Sequence, residues 1–228
     1  MLKIFSIFAA LTVNLINKTK SSLIMKKILL IVALMVMAAT ASFAQIGLRI
    51  GMDFASFRGD FKDDYKTNIG LHLGAVYNIE LADVLSLQPG VFYVQRNWEN
   101  KTTELKIRSH YIEVPVVLKY NLEVSSDIKI DPHVGPYFGF GFAGKSKEEI
   151  AGVSYRPFKK VGLNSKGDKY GLGIANFDMG IQMGVGASFY DAAYVGFDYE
   201  IGFNENGKKP YTGHNNMFMV TFGVYLPD

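Results

Sequence analysis

The sequence predicts an all-β chain, an eight-stranded antiparallel up-and-down transmembrane β-barrel, and three observations carry that prediction. Segments that alternate apolar with small or polar residues recur from end to end, the mark of strands with two unlike faces. The links between them alternate long and short, as in membrane barrels with tight turns at one end and loops at the other. One parity is dominated by glycine and the other is bulky, which suits a narrow closed barrel in lipid.

Two stretches precede the strands. Residues 25–44 begin with Lys26 and Lys27, continue apolar from Ile28 to Ala39, and close on Ser42-Phe43-Ala44, a small-x-small cleavage site. This reads as a signal peptide cleaved after Ala44, too short for the roughly 18–20 residues of a spanning helix. Residues 1–24 stand before that leader and are expected to be a misassigned upstream extension, with translation starting at Met25. The barrel domain is then expected over 45–228. Five lysines and no acid fall within 1–44, so the remainder carries 19 basic and 21 acidic residues, net −2. Nucleic acid is therefore not an expected partner. The absence of cysteine excludes a disulfide framework and a lipidated cysteine.

The strands are read in order. The first, 46–54, sets Ile46, Leu48, Ile50 and Met52 against Gly47, Arg49, Gly51 and Asp53. In the second, 69–79, His72 sits between Gly70 and Gly74. The third, 84–95, carries Pro89 and Gly90, and the fourth, 110–121, puts Glu113 and Lys119 on one parity with Pro115. The fifth, 128–142, places Lys129, Asp131 and His133 with Gly135, Gly139 and Gly141, and holds Pro132 and Pro136. The sixth, 177–189, opposes Met179, Ile181, Met183 and Val185 to Asp178, Gly180, Gln182, Gly184 and Gly186. The seventh, 193–203, sets Asp198 and Glu200 between Gly196 and Gly202, and the eighth, 216–226, ends the series. Prolines remove ladder bonds, so bulges are expected beside them. Long links are read at 55–68, 96–109, 143–176 and 204–215, and short ones at 80–83, 122–127 and 190–192. Phe54, Tyr77, Tyr93, Tyr120, Phe177, Phe189 and Phe203 near strand ends are expected to form interfacial girdles. A soluble lipocalin-like periplasmic carrier is the competing architecture, but its water-facing parity would be rich in charge and not in glycine.

Sorting by parity gives a polar set for the lumen: Arg49, Asp53, His72, Glu113, Lys119, Lys129, Asp131, His133, Asp178, Gln182, Asp198 and Glu200. A structural network filling the barrel is expected, with Arg49 bridged by one or more of Asp198, Glu200 and Asp131, since a buried charge is costly unless paired. A small passive pore or an ion path is the alternative. No enzyme is expected: His110 and His214 at the loop side have no Ser or Asp at a telling spacing. No metal-ligand or phosphate-cradling motif is present, and no cofactor is expected. The 143–176 link is basic, with Lys145, Lys147, Arg156, Lys159, Lys160, Lys166 and Lys169 against three acids. Such a loop is expected to meet lipopolysaccharide phosphates or an anionic partner.

The stretches SHYIEVPVVLKYNL (109–122), LSLQPGVFYVQRN, PHVGPYFGF and FDMGIQMGVGASF resemble the small outer-membrane β-barrel family of Bacteroidota, of porin-like, PorT type. The resemblance implies an integral barrel in the cell outer membrane, inserted by the barrel-assembly machinery and surrounded by outer-membrane lipid. It further implies a structural, surface-interaction or secretion-accessory role, with a secretion-system or surface protein as partner. Gly90 stands where the family pattern has an acid, and the chain closes on Leu226-Pro227-Asp228 and not on an aromatic residue.

Overall fold

A computed structural model of the protein describes residues 44–59, 63–102, 104–148, 154–158, 170–171, 174–208 and 211–226. The readings of residues 1–43 as extension and leader lie outside the described residues. The elements are β1 (Ala44–Gly59), β2 (Tyr65–Ala82), β3 (Leu85–Asn100), β4 (Leu105–Tyr120), β5 (Leu122–Ser125), β6 (Ile128–Glu148), β7 (Ser154–Arg156), β8 (Tyr170–Gly171), β9 (Phe177–Phe189), β10 (Ala193–Lys208) and β11 (Tyr211–Tyr225). Eight long strands, β1–β4, β6 and β9–β11, pair antiparallel in chain order. The sheet closes where β1 meets β11, from Gly47↔Tyr225 to Gly59↔Gly213. Closure leaves no open edge in the wall, the condition lipid imposes on strands.

Two faces of the wall differ in kind. Ile50, Leu73, Val91, Ile181, Val185, Phe197, Phe218 and Phe222 point outward and are exposed, Ile50 by 57% and Leu73 by 58%. The outward apolar run of β1, Ile46 to Met52, covers roughly 20 Å along the strand, and exposed apolar residues on the neighbouring strands extend it into a belt. Opposite parity points inward and is buried, from Arg49 and Asp53 in β1 to Asp198 and Glu200 in β10.

The loops differ from expectation. The links read at 55–68, 96–109 and 204–215 are largely strand: β1 runs to Gly59, β3 to Asn100, β4 starts at Leu105 and β10 reaches Lys208. The reason is an inversion of the pattern. Beyond the belt the wall meets water outside and an apolar cap inside, so Phe57, Trp98, Leu105 and Ile107 face inward while Arg58, Lys106 and Arg108 face out. A reading that follows apolar-outward parity ends where the parity changes sign. At the other end, which we call the short-turn end, the links are tight: Tyr190 and Asp191 adopt φ of 54° and 51° in a turn closed by Ala192 N–H donating to Phe189 O at 3.0 Å.

Prolines interrupt the ladders, as a missing N–H requires, but without a bulge: β4 and β6 lack paired residues between Pro115↔Tyr137 and Leu118↔Val134, beside Pro136, and resume in register. The β3–β4 ladder passes Pro89↔Val116 and continues at Phe92↔Glu113 without a shift. β6, which holds Pro132 and Pro136, is the longest strand at 21 residues. Its bulge against β4 lies instead between His110 and Tyr111, which pair with Ala143 and Gly141, so that Phe142 is the extra residue. β5 continues β4 after Asn121 along the same edge of β6.

Candidate functional site: a filled lumen

Side chains from opposite walls meet inside the barrel in successive layers. Nearest the short-turn end, Lys119 of β4 lies 3.2 Å from Asp131 of β6 and donates to Tyr225 Oη across the lumen at 3.3 Å. The Arg49 guanidinium sits 3.5 Å from the Tyr194 ring centroid and 4.4 Å from that of Tyr225. Next come two imidazole pairs. His133 Nε2 and Asp198 Oδ1 are 2.6 Å apart, and Gln182 Nε2 donates to the same oxygen at 2.8 Å. His72 lies 2.5 Å from Asp53 through Nδ1 and 3.1 Å from Thr221 Oγ1 through Nε2. A cavity of about 40 Å³ beside them is lined by Arg49, His72, Gln88, Gln182, Asp198 and Thr221, room for about three waters.

The third layer turns on Arg96. From β3 it donates to Glu113 Oε2 at 2.6 Å, to Glu200 Oε2 at 3.3 Å and to Asp178 Oδ2. Tyr137 Oη and Asn215 Nδ2 donate to the same Asp178 oxygen, each at 3.3 Å. Because β3 and β10 face each other across the ring, this cluster ties opposite walls together. All four ionic side chains are at most 2% exposed.

Above Arg96 the lumen is predominantly apolar, with Ser109 and Ser146 as buried hydroxyls among apolar side chains. Ala55, Phe57, Trp98, Leu105, Ile107, Ile174 and Met217 form one buried cluster with Phe158 and Tyr65 packed against it. Phe57 and Trp98 stack at 4.9 Å, and Phe158 meets Tyr111 edge-on at 5.4 Å. Phe158 and Ile174 come from the chain between β6 and β9 and are joined by Ile174 N–H donating to Pro157 O at 3.0 Å. Their seats depend on glycine: a Cβ on Gly141 would lie 2.4 Å from the Phe158 ring, and one on Gly144 2.8 Å from Pro157.

Each residue expected in the lumen can now be placed. Arg49, Asp53, His72, Glu113, Lys119, Asp131, His133, Asp178, Gln182, Asp198 and Glu200 all lie buried inside the wall. Lys129 does not: it sits at the short-turn rim, 2.8 Å from Asp191, whose carboxylate holds the ammonium above its ordinary pKa. The expected bridging of Arg49 is also corrected. Both of its terminal nitrogens lack a hydrogen-bond partner, and two tyrosine rings hold it, while Glu200 goes to Arg96. Arg96 falls outside the expected set because the expected third strand closes at Gln95, one residue short. Its parity, shared with Phe92 and Val94, would have found it. Tyr111, Tyr137, Tyr194 and Tyr225 share lumen parity as well, so the inside is not uniformly small. Glycines stand beside large groups: a Cβ on Gly186 would lie 2.5 Å from the Tyr194 ring, and one on Gly184 2.7 Å from His133 Nε2.

Of the basic segment, Lys145 is exposed on the outer wall, and Lys147 and Arg156 have backbone places in β6 and β7. Lys159, Lys160, Lys166 and Lys169 lie outside the described residues. Among the described residues no three His, Asp or Glu side chains are placed to hold a metal ion.

A closed antiparallel wall with an apolar belt outside and a polar filling inside defines a membrane-spanning β-barrel protein. Residues 37–206 match the outer membrane protein beta-barrel domain, and the chain belongs to that family. Its setting is accordingly the outer membrane and its lipid. No curated protein matches the chain. Among solved structures it is similar to Ail, the attachment invasion locus protein of Yersinia pestis, in complex with the heparin analogue sucrose octasulfate. That likeness is 15% identity over 80% of this chain and 99% of the other, with a TM-score of 0.42. It is also similar to the outer membrane protein OprG from Pseudomonas aeruginosa, at 12% identity, 81% and 97% coverage and a TM-score of 0.43. Against the outer membrane enzyme PagL the values are 14% identity, 79% and 98% coverage and a TM-score of 0.45.

Proposed function

We propose that this protein is a plugged outer-membrane barrel whose role is structural or interactive, exercised from its loop-side end as a surface-binding or PorT-like secretion-accessory protein. The observation that carries the reading is the lumen, tied across by Arg96 and capped by Trp98, Phe57 and Phe158. In this reading the leader at 25–44 directs export, the barrel-assembly machinery inserts the mature chain, and the short turns face the periplasm. A catalytic role is not part of the proposal. His110 Nδ1 is 2.6 Å from Tyr93 Oη, and among the described residues neither it nor His214 is joined to a carboxylate or serine in a triad.

The chain has no cysteine, so single introduced thiols report sidedness directly. Lys101→Cys, in the β3–β4 turn, is expected to react with an impermeant maleimide in intact cells. Asp127→Cys, in the turn before β6, is expected to react only after the outer membrane is permeabilised. Labelling of Asp127→Cys in intact cells, or recovery of the chain in the soluble periplasmic fraction, would overturn the reading.

A further inference from the structure

The β6 bulge has a consequence for charge. Up to Phe140 the even-numbered residues of β6 face outward, and the extra residue Phe142 reverses that parity. Ser146 therefore turns inward, 3% exposed, and Lys145 turns outward. Without the bulge Lys145 would enter the apolar cap. Outside, Lys145 stands directly opposite Arg108 of β4. Both are exposed, and among the described residues neither has an ion pair or hydrogen bond. Like charges set opposite each other across a ladder repel. The nearest acid on β3, Glu99, is engaged by Lys66 at 2.7 Å and by Asn68 at 3.1 Å, which hold its carboxyl below the usual range.

One strand-face step toward the belt, roughly 7 Å along the strand, lies an aromatic shelf. Tyr93 stacks on His110 at 5.8 Å, and Phe142, 59% exposed, approaches His110 at 6.3 Å. Aromatic rings of this kind occupy the membrane–water boundary, so the two cations lie at headgroup depth on the outside of the wall.

We propose that Arg108 and Lys145 form a lipid-headgroup site that takes a phosphate monoester, of the kind carried by lipid A, seated over the Tyr93–His110–Phe142 shelf. A monoester carries close to two negative charges near neutral pH, matching two opposed cations, whereas a phosphodiester carries one. Such an anion relieves the repulsion across the ladder while its acyl chains lie along the apolar belt. The inference rests on the membrane setting and on the loop-side end facing outward, and is independent of whether the lumen conducts.

The test uses the full mature barrel refolded in detergent, with lipid retention read by native mass spectrometry against bisphosphorylated lipid A, phosphatidylglycerol and phosphatidylcholine. Lipid A is expected to bind more tightly than the other two. The Arg108→Gln/Lys145→Gln variant should lose at least tenfold in lipid A affinity, Arg108→Lys/Lys145→Arg should keep most of it, and Lys101→Gln/Lys129→Gln should bind as the parent does. Heat-modifiable electrophoretic migration confirms that each variant is folded. Unchanged retention in the glutamine pair would overturn the proposal, as would an equal loss in the Lys101/Lys129 control. Displacement of lipid A by inorganic phosphate at equal concentration would also overturn it, because the site would then read free phosphate.

Discussion

Arg96 and Arg49 are both buried in the lumen, 1% and 2% exposed, yet they are held in different ways. Arg96 is surrounded by three carboxylates, and Arg49 lies between two tyrosine rings. Removing one partner of a buried ionic cluster leaves the others uncompensated, so Arg96→Ala should cost about 3–5 kcal/mol in urea unfolding from lipid vesicles. Combining it with Glu113→Gln and Glu200→Gln should recover part of that loss. Arg49→Met removes cation–π contacts and leaves no paired acid behind, so its cost should be nearer 1–2 kcal/mol. Equal losses would show that both arginines hold charge in the same way. Gly184→Val places carbon within 2.7 Å of Asp198 Oδ1 and His133 Nε2, and should cost about 1–3 kcal/mol in the same assay. Parity alone located eleven lumen residues, because a strand assigns each side chain to one face. It did not reveal which acid serves which base, since partners such as Arg96 and Glu200 lie on opposite walls, 104 residues apart in sequence.

At the scale of elements, the eight strands were legible because their membrane-facing parity is continuously apolar. Their outer extensions were not, because water outside and the cap inside invert the pattern at Phe57, Trp98 and Leu105. The bulge at Phe142 was hidden for a related reason, since one extra residue between glycines leaves no mark on composition. Deleting residue 142 should turn Lys145 into the cap and abolish the heat-resistant folded form, whereas Phe142→Ala keeps the register and should fold. If the deletion variant folds like the parent, the bulge does not set the parity of the outer half of β6.

The barrel formed by the described residues is a wall one residue thick around an interior filled by side chains. Its outside is apolar along the belt and basic where Arg108 and Lys145 meet above it. Its inside passes from tyrosine-held Arg49 through two imidazole–carboxylate pairs to the Arg96 cluster and then to an apolar cap. Between the Arg49 layer and the Arg96 cluster the cavity lined by His72, Gln182 and Asp198 measures about 40 Å³. Glycine on the lumen parity pointed to this narrowness in advance, whereas the cap depended on Phe158 and Ile174 returning from a link that composition marks only as basic. Single-channel recording of the full mature barrel in planar bilayers tests the central claim most directly. The filled lumen predicts no discrete conductance steps from the parent protein, and steps after Trp98→Ala/Arg96→Ala if that variant remains folded. Discrete, ion-selective steps from the parent protein would contradict the account.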